Sequence, residues 1–149
     1  MMRVELNTVV ARPIEDVFAR LTDFSDYSRW MPKLEIFLRC AQTSEGPVGE
    51  GTTYYDRGLM GTFRGEIVEF RAPTRVAFRE SLRWLGVEVM EARPSYELIP
   101  TRTGTEVRHR AEGRLFGVFG LMEPVVARVA RGERKRTVEA LKGSLERGL

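Results

Sequence analysis

The chain has 149 residues, 42% of them hydrophobic and 30% charged. That makes one domain of ordinary size and argues against a two-domain enzyme with a separate cofactor module. Lys+Arg 24 against Asp+Glu 21 leaves +3, too mild an excess to point to a nucleic-acid partner.

Val4–Ala11 is β-rich and reads as a first strand. Pro13 sits where a first helical turn tolerates it. Ile14, Val17, Phe18 and Leu21 follow at helical spacing, which predicts a short amphipathic helix over 13–21. Ser25 to Trp30 reads as another helical turn, with Ser25 as its N-cap and Pro32 as its stop. From Leu34 the period becomes two. Glu35 and Arg39 face out, so Ile36, Leu38 and Cys40 face in. Strands are predicted at 52–57, 61–71, 74–84, 87–99 and 105–115, separated by Gly58, Gly61, Ala72-Pro73 and Gly86. The clearest is 105–115, where Glu106, Arg108, Arg110, Glu112 and Arg114 alternate with uncharged residues. Such alternation means one wet face and one covered face. The last stretch, about 120–147, is helical, with an apolar stripe of Met122, Val126, Val129, Ala140, Leu141 and Leu145. The stripe is weakest at Arg131–Arg136. The order gives an α+β domain over 1–149: one antiparallel sheet of about seven strands, two short helices after the first strand, and one long helix to cover the sheet.

Charge placement sets which side chains face the interior. Arg79 and Arg83 face out, so Phe78, Glu80, Leu82 and Trp84 face in. Arg64 and Glu66 face out, so Phe63 and Ile67 face in. Val68 and Phe70 have the opposite parity, which a bulge would reconcile. Met90, Ala92, Tyr96 and Leu98 look inward, Arg93 looks outward, and Pro94 suggests a bulge or an edge strand. Tyr54 and Asp56 are read as inward and Arg57 as outward.

The inward polar set is therefore Tyr54, Asp56, Glu80, Tyr96 and His109. A carboxylate in an apolar interior costs several kcal/mol unless it is paired or its pKa rises. Glu80 is then near water, paired with an arginine, or functional. Two readings stand for His109. It is either a general acid/base on a cavity floor or a core histidine bonded to Tyr96 or to backbone. Cys40 reads as an inert buried thiol, because no cation on its own face would activate it.

A single cysteine excludes an intramolecular disulfide, and a single histidine excludes most metal constellations. No metal and no other cofactor is expected. The opening Met-Met-Arg-Val-Glu-Leu places charges where a signal peptide needs its apolar stretch. The longest candidate membrane run, Leu115–Met122, has eight residues with two glycines, against about 20 for a spanning helix. A cytoplasmic location and no transmembrane segment are the expectation. Oligomeric state stays open. No phosphate-loop, HExxH, CxxC or G-x-S-x-G pattern occurs.

Three segments carry a family resemblance. They are Val10–Phe18 with Leu21–Pro32, Ala72–Phe78, and Tyr96–Pro100 followed by Gly104–Val107 and the terminal helix. Together they resemble the START-like (SRPBCC) superfamily, the polyketide cyclase/dehydratase and lipid-transport group with the helix-grip fold. Asp23–Pro32 also looks like the coenzyme-Q-binding branch of that group. The resemblance implies a curved sheet around the C-terminal helix, with a deep apolar cavity between them. It implies a hydrophobic or aromatic small-molecule partner, lipid- or polyketide-like. The residues expected to line its site are Trp30, Met31, Leu34, Tyr54, Asp56, Phe63, Phe78, Glu80, Met90, Tyr96, His109, Met122 and Val126. Two alternatives accompany this reading. One is a cyclase/dehydratase using His109 as acid/base. The other is a non-enzymatic interaction protein, acting through an exposed edge or the basic helix segment Arg128–Lys142, whose basic residues otherwise read as a solvated face.

Overall fold

A computed structural model describes residues 1–31, 39–58 and 61–148. Its elements run β1 (Met2–Val10), α1 (Ile14–Thr22), a 3-10 turn (Phe24–Asp26), α2 (Tyr27–Trp30), β2 (Arg39–Gln42), β3 (Thr53–Gly58), β4 (Gly61–Arg71), β5 (Arg75–Trp84), β6 (Val87–Pro100), β7 (Thr105–Leu115), a second 3-10 turn (Gly117–Met122) and α3 (Glu123–Glu146). The seven strands form one antiparallel sheet in the order β1-β7-β6-β5-β4-β3-β2. Strands β2 to β7 are a plain meander, as the regularly spaced turn residues require. β1 closes onto β7, so β1 and β2 lie at opposite edges.

Alternation placed the strands to within a residue or two. Three local expectations change. The expected bulge exists: the β4–β5 register shifts between Ile67 and Glu69. A second shift, between Leu82 and Arg83, was not expected. It turns Trp84 out of the interior and leaves it partly exposed, with its ring edge-on to Phe119 at 5.2 Å. Pro94 is at neither a bulge nor an edge. It pairs with Ala111 inside β6, and the β5–β6 ladder lapses opposite Arg93 and Pro94 without a register change. A proline can occupy a central strand where no N–H is asked of it. Asp23, not Ser25, caps the first turn, its carboxylate accepting from the Ser25 N–H. The expected inward faces of Ile36 and Leu38 lie outside the described residues.

α3 is held across the sheet by its C-terminal half. Val138, Leu141 and Leu145 are buried there, Leu141 completely, and Leu141 and Leu145 join a cluster with Val10, Val17, Leu21, Ile67 and Val107. Polar clasps fix the same end. The Glu146 carboxylate accepts from the Ala11 N–H at 2.9 Å, Arg12 donates to the Leu145 carbonyl at 3.1 Å, and Lys142 donates to the Val9 carbonyl. A smaller cluster of Met2, Phe63, Leu82, Val89 and Met90 packs under Phe119, Val126 and Ala127 at the other end. The interior site lies within the first cluster, whose Phe24, Tyr27, Tyr54, Phe78 and Tyr96 line it.

Leu141 is the keystone of the first cluster. Leu141→Ala is expected to cost about 2–5 kcal/mol in urea unfolding. Val125→Ala, at a position 58% exposed, should stay within about 0.5 kcal/mol.

Candidate functional site

A row of small residues makes the space. Across the sheet, Tyr54, Gly65, Glu80, Ala92 and Gly113 are successive cross-strand partners on β3 to β7. Gly65 and Ala92 flank Glu80, so its side chain rises from a shallow floor. Tyr54 leans over Gly65 and donates its hydroxyl proton to Glu80 Oε2 at 2.6 Å. A Cβ at position 65 would lie 2.3 Å from Tyr54 Cζ, so only glycine allows that approach. From above, Arg134 on α3 brings Nη2 to 3.6 Å from Glu80 Oε1. The Glu80 and Arg134 side chains are 6% and 16% exposed, so this is a buried ion pair joining sheet to helix.

Around it lies a cavity of about 40 Å³ lined by Phe24, Tyr27, Met31, Tyr54, Asp56, Phe78, Glu80, Pro94, Tyr96, Arg134 and Thr137. Its walls are aromatic. Phe24 stacks on Tyr54 at 4.7 Å, and Phe78 stands edge-on to Tyr54 at 5.8 Å and to Tyr96 at 6.4 Å. These rings fill most of the space, which corrects the expectation of a deep apolar cavity. A volume of this size holds a few waters.

Asp56 lies on β3, opposite Cys40 and Phe63. Burial, and then the charge of Glu80, push its carboxyl well above the ordinary carboxylate range. Its Oδ1 is buried without a hydrogen-bond partner. Burial pulls the Arg134 guanidinium down, but Glu80, Tyr96 and Asp56 outweigh that and hold it charged. Burial also raises the Tyr27, Tyr54 and Tyr96 hydroxyls, which therefore remain proton donors. The Cys40 thiol is pushed far up by burial and by Asp56, as suits an unreactive cysteine.

The interior thus offers a cationic donor, phenolic hydroxyls and two carboxyl groups, set among aromatic rings. Of the residues expected at the site, Met31, Tyr54, Asp56, Phe78, Glu80 and Tyr96 meet here. Trp30 is buried in the same cluster, edge-on to Tyr27 at 5.4 Å and one layer back from the lining. Phe63 and Met90 belong to the second cluster, and Val126 packs against it. Met122 is 51% exposed at the start of α3 and lines nothing. Leu34 lies outside the described residues.

His109 sits behind Tyr96 and outside the lining. Their rings stack at 4.3 Å and 21°, and His109 Nδ1 is 2.9 Å from the Ser95 carbonyl. Burial, and then the charge of Arg134, lower its pKa to about 3. A neutral imidazole behind the Tyr96 ring and bonded to backbone has the form of a core histidine. The residue missed by sequence reading is Arg134, counted there with the solvated basic face. Helical phase carried the signal: 134 lies three, four and seven residues before Thr137, Val138 and Leu141, all buried. Arg93 is outward as expected, bonded to Glu91 at 2.8 Å.

Two outcomes follow from this geometry. Gly65→Ala should displace Tyr54, break its bond to Glu80 and cost about 1–3 kcal/mol in urea unfolding. Gly113→Ala meets only the flexible end of Met2 at 3.0 Å and should cost less. The second concerns pH. The folded chain holds His109 neutral down to about pH 3, whereas the unfolded chain protonates it near 6.5. His109 therefore contributes stability that is complete above about 6.5 and is lost as pH falls toward 3, by about 1.4 kcal/mol per unit. Asp56 acts in the opposite sense, because its raised pKa favours the fold at low pH and that gain fades as pH rises. Unfolding free energies at pH 4 to 7 should show the stability slope turning more negative in His109→Gln and more positive in Asp56→Asn.

Comparison with known proteins agrees with this architecture. A START superfamily protein from Mycobacterium smegmatis superposes with a TM-score of 0.78 at 13% identity, covering 100% of both chains. Protein MLL2253 from Mesorhizobium loti superposes at 0.74 with 16% identity, covering 97% of each chain. DynU16, encoded in the dynemicin biosynthetic locus, superposes at 0.70 with 19% identity, covering 99% of this chain and 48% of its own. No curated protein matches the sequence. The family model described as "Polyketide cyclase / dehydrase and lipid transport" matches residues 1–146, and the chain belongs to that family.

Proposed function

We propose that the chain binds an apolar or aromatic small molecule in the interior between sheet and α3, with the molecule's polar group held by Glu80, Arg134, Asp56 and Tyr96. One observation carries this reading: a buried Glu80–Arg134 pair beside a buried Asp56 with an unpartnered Oδ1, all within one aromatic cavity. Charged pairs in such places seldom stabilise a fold more than apolar residues of equal volume would. Their presence is better matched to recognition. A ligand carbonyl would accept from the Asp56 hydroxyl or from Arg134, and a ligand hydroxyl would donate to Glu80. The apolar part would lie against Phe24, Tyr27 and Phe78, gaining roughly 25 cal/mol per Å² buried. The family description, and the natural-product locus of DynU16, support a ligand of this kind.

The open volume of about 40 Å³ is far below the roughly 300–1,000 Å³ of ligand pockets. Binding therefore requires aromatic side chains, Phe24 and Tyr27 first, to yield. The same polar pair favours a second, enzymatic reading of the cyclase/dehydratase type. Asp56, with its raised pKa, would give a proton and Glu80 would take one, the division of labour that acid/base chemistry needs.

The test uses a cavity-filling variant. Native mass spectrometry of gently purified protein should show a bound small molecule, and a naphthalene-sulfonate dye should bind at one site per chain. Thr137→Leu, which adds apolar bulk to the lining, should keep its melting temperature and lose both signals. Retention of both by a folded Thr137→Leu chain would place any ligand elsewhere. Asp56→Asn separates the readings: it should leave dye binding within about threefold, and a reaction would show only with Asp56 intact.

A further inference from the structure

The first part of α3 and the turn before it are apolar on two sides. Phe119, Val126 and Ala127 face the second cluster. Val118, Leu121, Met122, Val125 and Val129 face water, with Leu121 85% and Val118 76% exposed. Val118 and Leu121 lie three apart on the 3-10 turn and Val125 and Val129 four apart on α3, so each pair shares a face, and with Met122 all are exposed. The β5–β6 hairpin stands beside it, joined through Trp84 on Phe119. That hairpin's tip carries Leu85, fully exposed in the left-handed region at φ 52, and exposed Val87. A monomer seldom leaves so many large apolar side chains together in water.

Charge decides what covers them. Arg128, Arg131, Lys135 and Arg136 are exposed and continue the same solvent face of α3. Arg83 and Arg114 flank the hairpin and the turn, both exposed. Among the described residues none of these six cations has a carboxylate within ion-pair distance, whereas eleven other arginines form ion pairs. Glu88 pairs in register with Arg83, and Glu139 is an exposed carboxylate on the same helix face, but neither makes an ion pair among the described residues. Glu123 is held by the Met1 amino group at 2.6 Å, and Glu133 is buried.

We infer that this surface, the exposed apolar residues from Val118 to Val129 with the Leu85–Val87 tip and its ring of cations, docks on an anionic lipid bilayer. Apolar side chains with adjacent basic residues on one helix face are what an interfacial helix presents to acidic headgroups. A second copy of the chain fits less well. A twofold contact would set the same cations against one another. The inference is independent of any ligand in the interior, because its residues belong to neither the cavity lining nor the Glu80 pair.

Vesicle co-sedimentation tests it, with the full chain at 0.1 M salt. Vesicles with 30% phosphatidylglycerol in phosphatidylcholine should bind the chain at least tenfold more tightly than pure phosphatidylcholine. Trp84 fluorescence should be quenched when the lipid is brominated. Leu121→Ser with Val125→Ser, and separately Arg128→Glu with Lys135→Glu, should each lose at least tenfold while keeping the far-ultraviolet spectrum and melting temperature. All four positions are exposed, so folding is not at stake. Equal binding by the variants, or no preference for anionic vesicles, would overturn the inference. A concentration-dependent dimer that these variants abolish, without vesicle binding, would overturn it in favour of self-association.

Discussion

The interior depends on one interaction, the buried Glu80–Arg134 ion pair. Neither charge is tolerable alone in an apolar core, where an unpaired ion costs several kcal/mol. Each therefore dictates where the other must be, and together they tie the middle of α3 to the middle of β5. Tyr54 completes the arrangement by giving its hydroxyl to the second Glu80 oxygen. The charge on Glu80 adds to the burial that raises the Asp56 carboxyl. The same arginine adds to the burial that holds His109 neutral. The pair thus adds to what burial already imposes on the groups around it.

Space for that pair comes from absence of side chains. Gly65 and Ala92 on either side of Glu80 give up volume that a sheet face ordinarily fills, and Tyr54 reaches its place only over Gly65. The aromatic lining belongs to the larger cluster, so the rings that pack the core also wall the site. That sharing ties the site to the core. It also explains why the cavity is small here: five aromatic rings crowd a floor that glycine and alanine opened.

Most of the frame was legible in the sequence. Charges alternating along 61–115 gave strand positions, and parity alone brought Tyr54, Asp56, Glu80 and Tyr96 to one interior. A parity conflict at Ile67 and Val68 correctly announced a bulge. Trp84 was misplaced because the second register shift leaves no such conflict in the sequence; Arg83 and Trp84 alternate acceptably either way. Arg134 was hidden for a different reason. It stands in a run from Arg131 to Arg136 where apolar periodicity fails, and a buried arginine imitates a solvated one until its partner is located. His109 alternated inward as read, yet parity cannot tell a cavity wall from the layer behind it. Only the stacked Tyr96 ring decides that.

The central claim is that the Glu80–Arg134 pair is kept for recognition and adds little to stability. Urea unfolding of the double variant Glu80→Met, Arg134→Met tests it most directly, beside the two single variants. Each single change strands a charge and should cost about 3–5 kcal/mol. The double variant should match or exceed the parent in unfolding free energy. A double variant that loses as much as either single one would contradict the account, because the pair would then be holding the fold together.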